Sequence, residues 1–199
     1  MKYFLQQKNT TKRGFTLVET LLALSIFSIS VLAMLSVLSD GISDTNYAKS
    51  KIIAVYLAQE GIETMRNMRD TCMLYPTGPI CAGWAGFTTK ITSAGCTNQT
   101  NGCYFNDQNL NFNDPAQPIA NQSNVALTAC GTSCPLLLYN STTGKYNYTL
   151  GGVSSLFTRK IVATNVSADE YRISSTIYYT HKYNTYQFTI SENLFNWAE

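Results

Sequence analysis

The chain has 199 residues, of which 45% are apolar and only 13% are charged. That length permits one domain with its own core, and the apolar share excludes a disordered chain. Asn, Ser, Thr and Tyr are abundant in the C-terminal two thirds, a balance more typical of secreted surface proteins than of cytosolic enzymes. We therefore expect most of the chain to lie outside the cytoplasm.

Four basic residues are concentrated at the start of the chain, whose net charge is only +2. They are Lys2, Lys8, Lys12 and Arg13, and no acid accompanies them in the first 14 residues. A cluster confined to one short segment does not build a nucleic-acid-binding surface, so no nucleic-acid partner is predicted. The charge instead indicates a local targeting signal.

Residues 15–39 form an apolar run that contains a single charge, Glu19. A helix of these 25 residues, rising about 1.5 Å per residue, is long enough to cross a bilayer core. Lys12 and Arg13 precede the run, so the positive-inside rule keeps the leader in the cytoplasm and sends the C-terminal part across the membrane. An ordinary secretory signal has a shorter apolar region that ends in a small-residue cleavage site. We therefore predict a single-pass protein anchored in the lipid bilayer.

The junction Lys12-Arg13-Gly14-Phe15-Thr16-Leu17-Val18-Glu19 resembles the N-terminal signal of type IV pilins and type II secretion pseudopilins. The resemblance implies cleavage after Gly14 by prepilin peptidase, which also methylates the new N-terminus at Phe15. It implies that Glu19 pairs with the N-terminus of a neighbouring subunit during assembly. The implied partners are this peptidase and methyltransferase, other pilins or pseudopilins, and an inner-membrane assembly platform. The implied destination is a pilus or pseudopilus at the cell envelope.

Glu19 also has a purely structural interpretation. An acid in the first turn of a helix interacts favourably with the helix dipole, by about 0.3 to 1 kcal/mol. Inside a membrane span, however, a carboxylate costs roughly 2.5 to 3.5 kcal/mol on insertion scales and needs a partner. Because the whole motif surrounds it, we favour the assembly role.

The helical pattern continues beyond the apolar run with an amphipathic half at residues 40–70. Its apolar positions recur every three or four residues; they are Ala48, Ile52, Val55, Ala58, Ile62, Met65 and Met68. A glycine in a helix costs about 1 kcal/mol relative to alanine, so Asp40-Gly41 predicts a hinge. The predicted organisation is a leader at 1–14, a transmembrane or filament-core helix at 15–39, this amphipathic half, and a head at 71–199.

Six cysteines occur, all in the predicted head: Cys72, Cys81, Cys96, Cys103, Cys130 and Cys134. None of the sequential spacings is the C-x2-C pair of a zinc knuckle, so no metal site is predicted. Disulfides formed in an oxidising compartment fit better. Six cysteines allow fifteen pairings, and the short loops favour the sequential ones: Cys72 with Cys81, Cys96 with Cys103, and Cys130 with Cys134.

The remainder of the head predicts mostly strands. Residues 71–135 indicate a loop-rich, disulfide-pinned region with short strands near 87–92 and 125–128. Residues 137–139 and 146–150 flank a polar turn and predict a hairpin. The alternating runs at 156–164, 171–179 and 186–190 predict an antiparallel meander. The fold class is therefore α+β, with the long helix packed on an antiparallel sheet, as the resemblance also implies.

The sequence contains no recognisable catalytic constellation. Its one histidine, His181, lies in a predicted turn, and its acids are not spaced for acid–base catalysis. We therefore predict a structural subunit that is not an enzyme and needs no cofactor. The alternative is a signal-anchored surface adhesin or receptor whose tyrosine-rich head, including Tyr178, Tyr183 and Tyr186, binds a ligand.

Overall fold

The computed structural model describes residues 14–74, 81–106, 126–148 and 151–197. Within these ranges the chain forms two helices and seven strands. The helices are α1 (Leu17–Leu74) and α2 (Gly83–Ser93). The strands are β1 (Cys103–Asn106), β2 (Ala126–Ala129), β3 (Leu136–Asn140), β4 (Lys145–Asn147), β5 (Val153–Ser167), β6 (Glu170–His181) and β7 (Asn184–Phe195).

Helix α1 belongs to two compact units, one that ends at Asn46 and one that begins at Tyr47. The helix is unbroken at Asp40-Gly41, where the sequence predicts a hinge. One glycine costs only about 1 kcal/mol, which the hydrogen bonds of a long helix outweigh. The helix also continues past residue 70, because Cys72 and Met73 are buried and join the core.

The head is an antiparallel sheet built around β5. Strand β5 pairs with β6 along one edge, and β6 pairs with β7, which confirms the predicted meander. The other edge of β5 pairs with β3 and, at a single position, with β1. Strands β3 and β4 form the predicted hairpin, and β2 extends the sheet beyond β1. The expected α+β fold is therefore confirmed.

The core lies between the second half of α1 and one face of this sheet. Ile62, Met65 and Met68 pack with Ile161 and Ile173 in one cluster. A second cluster involves an earlier part of α1. It consists of Ala54, Leu57, Ala58, Leu137, Phe157, Ile177 and Tyr179. At Gly61 the helix approaches the sheet closely, since a Cβ there would lie 2.2 Å from the Ser175 hydroxyl oxygen. The helix and sheet of the head thus form one packed body.

The prediction of a strand near residues 87–92 is wrong, because this segment lies in α2. Trp84, Phe87 and Ile91 are spaced by three and four residues and pack on the core from one side of a helix. Strand β1 was not predicted, whereas β2 matches the strand expected near 125–128.

All six cysteines are joined in disulfides, and the pairs are the sequential ones favoured by the spacing. Cys72 pairs with Cys81, Cys96 with Cys103, and Cys130 with Cys134. The first disulfide links the end of α1 to the start of the α2 segment, and the second links the segment after α2 to β1. These two disulfides therefore stabilise the region between α1 and β1, and the third closes the loop between β2 and β3.

Candidate assembly site

The side chain of Thr16 caps the N-terminus of α1, next to the predicted cleavage site. Thr16 precedes the helix, and its Oγ1 accepts a hydrogen bond from the backbone amide of Glu19 at 3.2 Å. Thr16 and Glu19 have the spacing of a capping box, in which the third helical residue is an acid. Glu19 is thereby fixed in the first turn, near the positive end of the helix dipole.

The predicted processing residues lie immediately before this cap. Phe15 is 81% exposed, and a Cβ added at Gly14 would meet nothing within 4 Å. The peptide bond between them is therefore accessible. Lys12 and Arg13, the predicted basic residues of the leader, lie outside the described residues.

The first part of α1 has an entirely exposed apolar surface. From Phe15 to Ile42 every residue is exposed, including fifteen large apolar side chains and Phe15 itself. Its most apolar window has a mean hydropathy of 2.5, and α1 is the one helix in the described ranges that is long and apolar enough to span a membrane. A continuous apolar surface of this size is stable in lipid or against other helices, but not in water.

Several hydroxyl groups of this segment are hydrogen-bonded within the helix. Four of them donate to backbone carbonyls one turn earlier at 2.8 Å; they belong to Thr20, Ser25, Ser28 and Ser30. Such local bonds remove the need for water around these side chains. The carboxylate of Glu19 remains as the one charged group of residues 15–39.

Comparison with known proteins finds one family match in this segment and one similar protein. Residues 9–35 match the family described as the prokaryotic N-terminal methylation motif. The chain therefore carries this motif in its N-terminal segment. It is also 42% identical over 48 residues to the type II secretion system protein I of Escherichia coli. That match covers 24% of this chain, and the chain spans only 39% of the length of the relative. No solved structure matches the chain.

The other predicted candidates in the head, His181 and three tyrosines, differ in their surroundings. The ring of His181 lies 5.5 Å from that of Tyr47, and the Tyr186 ring lies 5.1 Å from Tyr47. Tyr183 is fully exposed at the β6–β7 turn, and Tyr178 lies on the outer face of the sheet. The described residues contain no group of three His, Cys, Asp or Glu side chains that could hold a metal ion.

One polar cluster in the head was missed by the sequence analysis. Arg159 is completely buried, and its Nη1 donates to Glu60 Oε2 at 2.7 Å. Its guanidinium carbon lies 3.8 Å from the centre of the Phe105 ring. The alternation of β5 could have predicted the burial of Arg159, because this residue shares the inward face of the strand with Phe157 and Ile161. This ion pair fastens α1 to β5.

Proposed function

We propose that this protein is a minor pilin or pseudopilin, a non-enzymatic structural subunit of a type IV pilus or a type II secretion-like filament. The supporting observation is that the methylation-motif match coincides with an exposed apolar helix whose one acid is held in the first turn. The similarity to the Escherichia coli type II secretion protein supports the same class.

In this proposal the helix changes partners but never enters water. With the leader in the cytoplasm, the apolar segment is stored in the bilayer and the head lies on the opposite side. Prepilin peptidase cuts after Gly14, and Phe15 becomes the methylated N-terminus. The segment then moves into a filament core, where identical or related helices replace lipid against the same apolar surface.

Glu19 supplies the selective contact for that transfer. A carboxylate in lipid costs roughly 2.5 to 3.5 kcal/mol, and pairing with the amine of a neighbouring Phe15 would offset this cost. The partners are thus prepilin peptidase and its methyltransferase activity, other pilins or pseudopilins, and an inner-membrane assembly platform.

Intact and N-terminal peptide mass spectrometry on protein from its native membrane tests this route. The expected mature chain begins at N-methylated Phe15, and the variant Gly14→Ala should retain residues 1–14. Gly41→Ala is a matched control, because a Cβ meets nothing within 4 Å at either glycine. This control should be processed normally. An intact leader on the wild-type chain would refute the route and favour the signal-anchored adhesin.

A further inference from the structure

A cavity of about 480 Å³ lies on the face of the sheet opposite α1. Its floor is made by Thr158 and Lys160 of β5 and Tyr178 of β6. Their neighbours along the strands, including Arg159 and Ile177, are buried on the opposite side, so strand alternation directs the floor residues outward. The volume lies within the roughly 300 to 1,000 Å³ of small-molecule sites.

Two fixed loops form the walls of this cavity. Thr100 and Asn101 lie in a turn whose backbone amides donate to Asn98 Oδ1 at 3.0 Å each. A second, adjacent part of the wall contains Thr132 and Ser133, in the loop closed by the Cys130–Cys134 disulfide. The loops are joined to each other, because the Cys130 amide donates to the Gly102 carbonyl at 3.0 Å. A cavity with such fixed walls needs little ordering when a ligand binds.

The lining combines hydroxyl groups, one aromatic ring and one cation with two apolar side chains, Leu136 and the disulfide-bonded Cys134. Its hydroxyls come from threonine, serine and Tyr178, and Asn101 adds an amide. None of the described residues that line the cavity is acidic. Lys160 Nζ donates to the Thr100 carbonyl at 3.3 Å and lies 5.7 Å from the centre of the Tyr178 ring. An ammonium has three donors, so two are left for a ligand.

We infer that this cavity binds an acidic saccharide, with the carboxylate at Lys160 and a sugar ring against Tyr178. Hydroxyl and amide groups can each donate and accept, which suits the many hydroxyls of a sugar. The apolar face of the sugar ring suits an aromatic side chain, and the ammonium suits a carboxylate in the absence of a competing acid. The site lies in the head alone, so it does not depend on filament assembly.

Isothermal titration of the purified full chain in detergent micelles tests this site. Trigalacturonate is the acidic probe, and its methyl ester and inorganic phosphate are the comparison ligands. We expect binding of trigalacturonate that weakens with salt, at least tenfold weaker binding of the ester, and no binding of phosphate. Lys160→Gln and Tyr178→Ala should each weaken binding about tenfold or more, whereas Lys160→Arg and Tyr178→Phe should retain most of it.

Lys145→Gln and Tyr183→Ala are matched controls, since both side chains are exposed outside the cavity. Both controls should bind like the wild type. Absence of trigalacturonate binding at about 1 mM would overturn the inference, and so would an equal loss in the controls. Equal affinity for phosphate would overturn the saccharide class. If Tyr178→Ala fails to fold, Lys160→Gln, at a half-buried side chain, decides the question.

Discussion

The buried guanidinium of Arg159 is neutralised by Glu60, 2.7 Å away on α1. The Nε and Nη2 of Arg159 have no hydrogen-bond partner among the described residues. A buried charge is costly unless it is paired, so the charge of Glu60 has a larger effect on stability than that of a surface acid. This single pair connects residues 99 positions apart in the chain.

Glu60→Gln should lower the free energy of unfolding by about 1 to 3 kcal/mol. The value is below the roughly 3 to 5 kcal/mol of a fully buried pair, because the Glu60 side chain is 36% exposed. Urea unfolding of the full chain in detergent measures it. Glu63→Gln removes an exposed acid beside Arg66 and should change stability by less than about 0.5 kcal/mol. In an Arg159→Met background the cost of Glu60→Gln should vanish, and an unchanged cost there would contradict the pairing.

Tyr148, which lies beside this ion pair, should make the head less stable at alkaline pH. Burial raises the pKa of Tyr148 to about 12, against about 10 in an unfolded chain. Its contribution to stability is therefore complete below about pH 10 and is lost as the pH rises towards 12. Tyr148→Phe should reduce the loss of stability over this pH range by about 2 kcal/mol, whereas Tyr183→Phe at an exposed ring should not. Unfolding free energies measured from pH 8 to 12 would refute this if both variants had the wild-type slope.

The turn before β1 depends on glycine at position 102. Gly102 has a φ of +63°, and a Cβ there would lie 2.4 Å from the Ile161 carbonyl oxygen. This close approach holds the turn against β5 and positions one wall of the cavity on the face of the sheet opposite α1. The conformation and the missing side chain are therefore both required.

Gly102→Ala should destabilise the head by about 2 to 4 kcal/mol. The comparison variant is Gly144→Ala, because Gly144 has a φ of +69° but open space around its Cβ position. Gly144→Ala should lose only about 1 to 2 kcal/mol, the cost of the left-handed conformation alone. Equal losses in the two variants, measured by chemical unfolding, would show that the contact with β5 does not matter.

A helix or strand of this chain can be predicted from the sequence where a local pattern of apolar residues determines it. The alternation from Tyr171 to Tyr179 predicts β6 because one face of the sheet is buried. Helix α2 was missed because Phe87 and Ile91, four residues apart, are its only buried side chains and make too short a pattern. The pairing of Arg159 with Glu60 and the close contact of Gly102 depend on distant residues, so no local pattern shows them. At the candidate assembly site, Gly14 and Glu19 belong to one short contiguous motif that the sequence reveals, and their roles stay predictions.

The two units of the chain differ in how much apolar surface they expose. Residues 14–46 carry the exposed apolar surface of α1, whereas the unit that begins at Tyr47 has a core in which one face of α1 packs against a sheet. A head with its own core and disulfides keeps its fold whether the helix is surrounded by lipid or by other subunits. In the proposed function this allows the chain to change environment without unfolding.

Glu19→Gln should separate processing from assembly at the level of the whole molecule. The variant keeps the size of the side chain and the Thr16 cap, whose hydrogen bond uses the Glu19 backbone amide. It loses the charge that, in the proposed function, pairs with a neighbouring N-terminus, and we expect this pairing to be worth at least tenfold in incorporation. Mass spectrometry should therefore find mature Phe15 chains in the membrane, while sheared filaments contain at least tenfold less of the variant. Asp40→Asn, at an exposed acid just beyond the apolar run, should enter filaments normally. Wild-type incorporation of Glu19→Gln would leave Glu19 with its capping position alone and would remove charge pairing from the assembly mechanism.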